Sequence, residues 1–188
     1  MASSTILNRQ QILEGHAFNI EKVHLRLPDG RERDYDLVDH EDAVTILPVD
    51  DEGRVLFVRQ FRVGAGKELL ELPAGMMNKG EDPLSTARRE LREETGSDAV
   101  QIERIGGFYM AAGYSSEYMH IFFATGLSEA PLEQDEDEFL SLVKVDLREV
   151  FEMIRTGHIE DGKTISAFFY ALPFLNELLL AENNFEEK

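Results

Sequence analysis

Between Gly75 and Gly96 the chain places Glu81, Arg89, Glu90, Glu93 and Glu94. The last three glutamates stand at i, i+3 and i+4, so on a helix of 3.6 residues per turn they share one flank. Like charges at that spacing destabilise an isolated helix. Arg89, four residues before Glu93, offsets part of the repulsion, and a divalent cation would offset more. Hard carboxylate oxygens suit Mg²⁺ or Mn²⁺, held by a few side chains while the other positions keep water or a substrate phosphate. A solvated acidic face is the ordinary explanation of a lone Glu-Glu pair. The whole constellation, with a glycine at each end, favours the cation.

The element that must carry these groups has its own start and stop signals. Asp82 suits an N-cap, Pro83 the first helical position, and Gly96 the left-handed residue just past the end. Leu84, Ala87 and Leu91 recur at helical spacing and are expected to face a core.

The full stretch from Gly75 to Ser97, GMMNKGEDPLSTARRELREETGS, resembles the signature of the Nudix hydrolases. That signature is a Gly, five residues, a Glu, seven residues, then Arg-Glu-apolar-x-Glu-Glu-x-Gly-apolar. Gly75, Glu81, Arg89, Glu90, Leu91, Glu93, Glu94 and Gly96 all fall in register. Ser97 departs from it, standing where the family has a bulky apolar residue. The resemblance implies Mg²⁺-assisted hydrolysis of a diphosphate joined to some other moiety, on an α/β/α sandwich with a mixed sheet covering roughly residues 42 to 175.

Bulk composition narrows the classes. The chain has 188 residues, 43% of them hydrophobic, enough for one domain with a sizeable core and a small appendage. A net charge of −18 argues against general nucleic-acid binding, which needs a basic surface. Anionic substrates are repelled over most of such a surface, so a phosphate site needs local Arg, Lys or metal. With no cysteine there are no disulfides, thiolate metal sites or thiol nucleophiles. No signal peptide or membrane-spanning run is visible, and a soluble cytoplasmic protein is expected.

In chain order, residues 1 to about 17 read as a polar lead-in. Lys22–Leu27 and Arg31–Val38 read as an antiparallel hairpin around Pro28-Asp29-Gly30. A hairpin alone is marginal, so the main domain or a second subunit should cover it. We therefore divide the chain into an N-terminal strand region, 1–41, and a hydrolase domain, 42–188. Ala43–Val49 and Val55–Val58 read as a hairpin within the main sheet. Strands follow at 68–72, 100–105 and 106–110, 118–124 and 139–145. Helices are expected at 147–155 and 163–180, the second kinked by Pro173, with the last eight residues frayed. Alternating strands with few helices and short connections fit a mixed sheet between helices.

Residues before the box narrow the branch. Arg59-Gln-Phe-Arg62 followed by Glu68-Leu-Leu-Glu-Leu-Pro-Ala-Gly75 resembles the ADP-ribose pyrophosphatases. In that branch the N-terminal hairpin crosses to a partner, and the active site is shared in a homodimer. The resemblance implies that Arg62, with Arg59 as a second candidate, holds substrate phosphate and that Glu71 lies near substrate and metals. It gives the Ala74 carbonyl, Glu90 and Glu94 as metal ligands, Glu93 supporting, with Arg89 and Glu93 as catalytic candidates in the helix. It puts the carboxylate that takes a proton from water in the loop 133–138, where Glu136 leads Glu138, and matches Glu117 to an acidic substrate position. Here too the chain departs, reading Ala111-Ala112-Gly113 where the branch has Ser-Pro-Gly. Phe18 or Tyr35 could supply an aromatic platform for a base, and His120 reads as a core residue. The expected reaction is ADP-ribose to AMP and ribose 5-phosphate. The alternatives are another nucleoside diphosphate sugar such as GDP-mannose, or a binding module without turnover.

Overall fold

The structure, a computed structural model, describes residues 3–133 and 139–186. It separates into two compact units, one taking residues up to Asp42 together with Phe108–Tyr118, the other taking Ala43–Gly107 and the chain from Met119 on.

The first unit is an antiparallel sheet in the order β1-β2-β3, with β1 Thr5–Glu14, β2 Asn19–Arg26 and β3 Glu32–Asp39. The β2–β3 hairpin turns at Gly30, whose φ of 85° lies in the left-handed region that glycine enters without steric cost. Asp29 closes the turn by accepting the Arg31 amide at 3.0 Å. The polar lead-in expected from sequence is instead mostly a full strand. All ten residues of β1 are exposed, so burial imposes no alternation on the sequence, and only pairing with β2 defines the strand. In the same unit Val38 donates to the Tyr114 carbonyl at 2.7 Å, holding the segment 108–118 to β3.

The second unit holds two sheets. One is ordered β10-β5-β6, with β5 Arg54–Arg62, β6 Lys67–Glu71 and β10 Ser141–Asp146, all antiparallel. The other is ordered β7-β4-β9-β8, with β4 Ala43–Pro48, β7 Ala74–Met76, β8 Ser97–Tyr109 and β9 Tyr118–Glu129. It is mixed, because β4 runs parallel to β9 and antiparallel to β7. The expected hairpin of β4 and β5 is therefore split between two sheets, with the bridge Val49–Val55 between them. All six residues of β4 are buried, which pairing inside the sheet and cover on both faces require. The two strands expected at 100–105 and 106–110 are one continuous strand, β8.

Helices cover this unit on both sides. Helix α1, Pro83–Thr95, packs Ala87 and Leu91 against Val44, Ile46, Phe122 and Ala124. On the other side α2, Leu147–Arg155, and α3, Gly162–Glu186, contribute aromatic rings. Phe168 stacks on Phe57 with centroids 6.1 Å apart, and Phe174 meets Phe123 at 5.3 Å. Neighbouring residues Phe122 and Phe123 thus serve opposite layers, as period-two alternation dictates. Helix α3 continues to Glu186, past the expected end at 180, with Pro173 inside it. Leu84 is 40% exposed, not core; it lies in the first turn of α1, whose buried face continues instead through Thr86, Glu90 and Glu94.

Candidate active site

The site is built where α1 meets the turn between β6 and β7. Asp82 caps α1, accepting the Ser85 amide at 3.1 Å, and Gly96 ends it with φ 70°. This fixes the rotation of the helix and turns two glutamates inward. Glu90 is 6% exposed and Glu94 4%. Burying an ionised carboxylate is costly unless it is paired, and the pairing is specific. The Ala74 amide donates to Glu94 Oε2 at 2.9 Å. Glu90 lies directly over Gly75, where an added Cβ would collide with its carboxyl. Glycine at 75 is thus a requirement of close approach, not of φ.

Arg89 gathers the acids. Its Nη1 donates to Glu90 Oε1 at 2.6 Å and to Glu93 Oε2 at 2.9 Å. Its Nε and Nη2 donate to the two carboxylate oxygens of Glu81, each at 3.3 Å, and Nη2 also to the Met76 carbonyl at 3.1 Å. Glu81 in turn accepts the Asn78 amide at 2.9 Å, closing the loop onto the helix. Burial would push the Glu81 carboxyl up, but the Arg89 and Asn78 hydrogen bonds hold it at about 2.

Three carboxylates, from Glu81, Glu90 and Glu93, thus surround one guanidinium, while Glu94, one turn beyond Glu90, is held by the Ala74 amide. Among the described residues no group of three or more His, Asp or Glu is gathered at metal-holding distances. The donor chemistry nevertheless fits a hard divalent cation: oxygen ligands only, net negative, with Glu90 seated in a cradle that a Cβ would fill.

A second charged cluster occupies the end of β6. Arg62 donates from Nε and Nη2 to Glu71, with the shortest contact 2.7 Å. Glu71 is 1% exposed and also bonds Lys163. Burial alone would raise the Glu71 carboxyl; the Arg62 hydrogen bonds and the Lys163 charge hold it below its ordinary range. Lys163 reaches Asp161 at 3.0 Å, and Asp161 accepts the Thr164 amide at the start of α3, also at 3.0 Å. The Thr164 hydroxyl accepts the Leu72 amide at 2.9 Å, two residues before Ala74.

The residues singled out in the sequence fall into distinct places. Ala74, Arg89, Glu90, Glu93 and Glu94 are brought together, and Arg62 pairs with Glu71. Arg59 is exposed on β5; three residues from Arg62, it points to the opposite face of that strand. Glu117 and Phe18 belong to the first unit. There Glu117 is half-buried, its amide donating to Ser115 Oγ at 3.2 Å. Phe18 is 44% exposed and lines a hollow of about 260 Å³ with His16, Asp39 and His40. Glu136 and Glu138 lie outside the described residues. His120 is buried in β9. Sequence reasoning missed Lys163 and Asp161. The spacing of Asp161 and Thr164, a cap and its third helical residue, was the one available sign.

Known proteins resemble this chain over most of its length. The NUDIX domain model matches residues 39–168. An ADP-ribose pyrophosphatase from Bacillus subtilis is 37% identical over 164 residues, covering 86% of this chain and 89% of its own. A methanol dehydrogenase activator from Bacillus methanolicus is 36% identical over 166 residues, covering 87% and 90%. A crystal structure of an ADP compounds hydrolase superposes with a TM-score of 0.83 at 28% identity, covering 94% of this chain and 96% of that one.

Proposed function

This chain belongs to the NUDIX family, and from that premise we propose that it hydrolyses the diphosphate of ADP-ribose to AMP and ribose 5-phosphate. The observation that carries the proposal is the pair of buried glutamates, Glu90 and Glu94, framed by Gly75, Ala74 and Arg89. A module that only bound nucleotide would have no physical need for buried carboxylates gathered so closely.

Nudix hydrolases generally need divalent metal ions. The residues that would hold one are Glu90, Glu94 and the Ala74 carbonyl, with Glu93 beside them, and Mg²⁺, replaceable by Mn²⁺, is the ion proposed. When bound, such an ion supplies charge to phosphoanhydride oxygens and lowers the pKa of water. Arg89 orients Glu90 and Glu93 through its Nη1 and steadies the loop through Glu81. Arg62 presents a guanidinium fork suited to paired hydrogen bonds with phosphate oxygens. Water attacks phosphorus, the bridging P–O bond breaks, and the departing phosphate keeps the electron pair. The proton goes to a carboxylate of the loop 133–138, Glu136 ahead of Glu138. Phe18 offers its ring to the base and Glu117 is a further substrate contact in this scheme, whereas Arg59, on the face of β5 opposite Arg62, has no part in it. The N-terminal region, 1–41, joins two copies as a homodimer. Among the described residues no helix is long and apolar enough to cross a membrane. We place the enzyme in the cytoplasm, where a chain without cysteine loses nothing to the reducing environment.

One feature favours a second substrate, another nucleoside diphosphate sugar such as GDP-mannose: Ala111-Ala112-Gly113 stands where the ADP-ribose branch has Ser-Pro-Gly. Specificity constants over a panel of nucleotide sugars with Mg²⁺ separate the two. ADP-ribose should lead the panel; a tenfold preference for a guanine sugar would reverse the assignment.

A further inference from the structure

Arg62 does not stand alone. Its hydrogen bonds to Glu71 use Nε and Nη2, which leaves Nη1 for another acceptor, and its side chain is 40% exposed while that of Glu71 is 1% exposed. A buried carboxylate in a bidentate pair takes most of the charge from its guanidinium. Such an arginine would attract a phosphate poorly, above all in a chain of net charge −18. Lys163 alters that balance. Its ammonium lies on the same Glu71 oxygen, Oε2, that Arg62 Nη2 meets, and its side chain is 9% exposed.

We propose that Lys163 is a positioning residue: by sharing the Glu71 carboxylate, it fixes the angle of the Arg62 guanidinium and leaves it charge enough to hold a diphosphate. This rests on the reading of Arg62 as a phosphate ligand given above. A neutral donor at 163 would hold Glu71 in place but would not offset its charge. Lys163 also meets Asp161 Oδ2 at 3.0 Å, so two carboxylates and two cations balance in this cluster, and loss of the lysine would leave it with a net negative charge beside Arg62. Asp161 accepts the Thr164 amide and hydroxyl at 3.0 and 2.6 Å, at the positive end of α3. The same turn fixes the backbone before Ala74, because Thr164 also accepts the Leu72 amide. The start of α3 therefore sets both the cationic fork and the approach to the carboxylate cradle.

Titration calorimetry with ADP in the presence of Mg²⁺ tests this on four proteins: unaltered, Lys163→Met, Arg62→Ala and the double variant. Lys163→Met should weaken ADP by about ten-fold, the size of one charge-assisted hydrogen bond. In turnover its effect should fall on KM, with kcat changed by no more than about two-fold. In the Arg62→Ala background Lys163→Met should add nothing, since the lysine acts through that arginine. Unchanged ADP affinity in Lys163→Met, full additivity in the double variant, or no ADP binding by the unaltered enzyme would each overturn the proposal. If Lys163→Met alone fails to fold, Glu71→Gln is added to remove the uncompensated buried charge. With the Glu71 charge gone Arg62 no longer needs the offset, so that pair should bind ADP within about three-fold of the unaltered enzyme, and a loss of about ten-fold or more would overturn the proposal. ADP binding with the predicted pattern but no ADP-ribose hydrolysis would sink the substrate assignment and leave Lys163 in its role.

Discussion

Glu81 joins loop to helix through a single carboxylate, which accepts the Asn78 amide and both Nε and Nη2 of Arg89. Its folded pKa of about 2 lies below the ordinary 4.5, burial opposing and Arg89 prevailing. The sign follows from linkage: a depressed carboxyl stabilises the fold fully above its unfolded pKa and ceases to do so as acid protonates it. Glu81→Gln should therefore lower Tm near neutral pH, with the gap to the unaltered protein closing between pH 4.5 and about 2. Thermal denaturation over a pH series checks this, and a gap independent of pH would contradict it. Gly75 illustrates the same scale differently. The signature specifies glycine there, and the structure supplies the reason: the Glu90 carboxyl occupies the space a side chain would need.

Among the elements, α1 was legible because its signals are local. Asp82, Pro83 and Gly96 delimit it, and the glutamate spacing places the acids before any tertiary contact is known. Strand β1 was not legible, because a strand exposed along its whole length carries no burial alternation. The separation of β4 from β5 was hidden for another reason. Each strand's sheet is decided by partners far along the chain, β9 for one and β10 for the other. The Arg62–Glu71–Lys163 cluster likewise draws on β5, β6 and α3, and no spacing in the sequence announces it. Ser97, at the start of β8, is a departure with a structural counterpart. It lines a hollow of about 450 Å³ whose walls are mostly polar, with Asp50, Glu52, Arg54 and Lys144 beside Leu56 and Leu127. Ser97→Val should raise stability by up to about 0.5 kcal/mol through strand propensity at the start of β8, without loss of turnover. A lower Tm in thermal denaturation would contradict this.

For the molecule as a whole, the first unit poses a problem of cover. Its three strands leave Ile6, Ile12 and Leu13 each 54% exposed and Tyr35 46% exposed. Exposed apolar groups on a small sheet are what the proposed contact between two copies would cover. We expect light scattering at micromolar concentration to give twice the chain mass of 21.4 kDa; a monomeric mass would remove the homodimer. The strong negative charge also explains why the enzyme would depend so completely on its local cations. The most direct measurement follows from that dependence. Product analysis of ADP-ribose is made with and without Mg²⁺, on the unaltered protein and on folded Glu94→Gln. AMP and ribose 5-phosphate should form only with the metal, and the variant should be slower by roughly two orders of magnitude or more. Equal turnover by Glu94→Gln, or hydrolysis undiminished by chelator, would contradict the account.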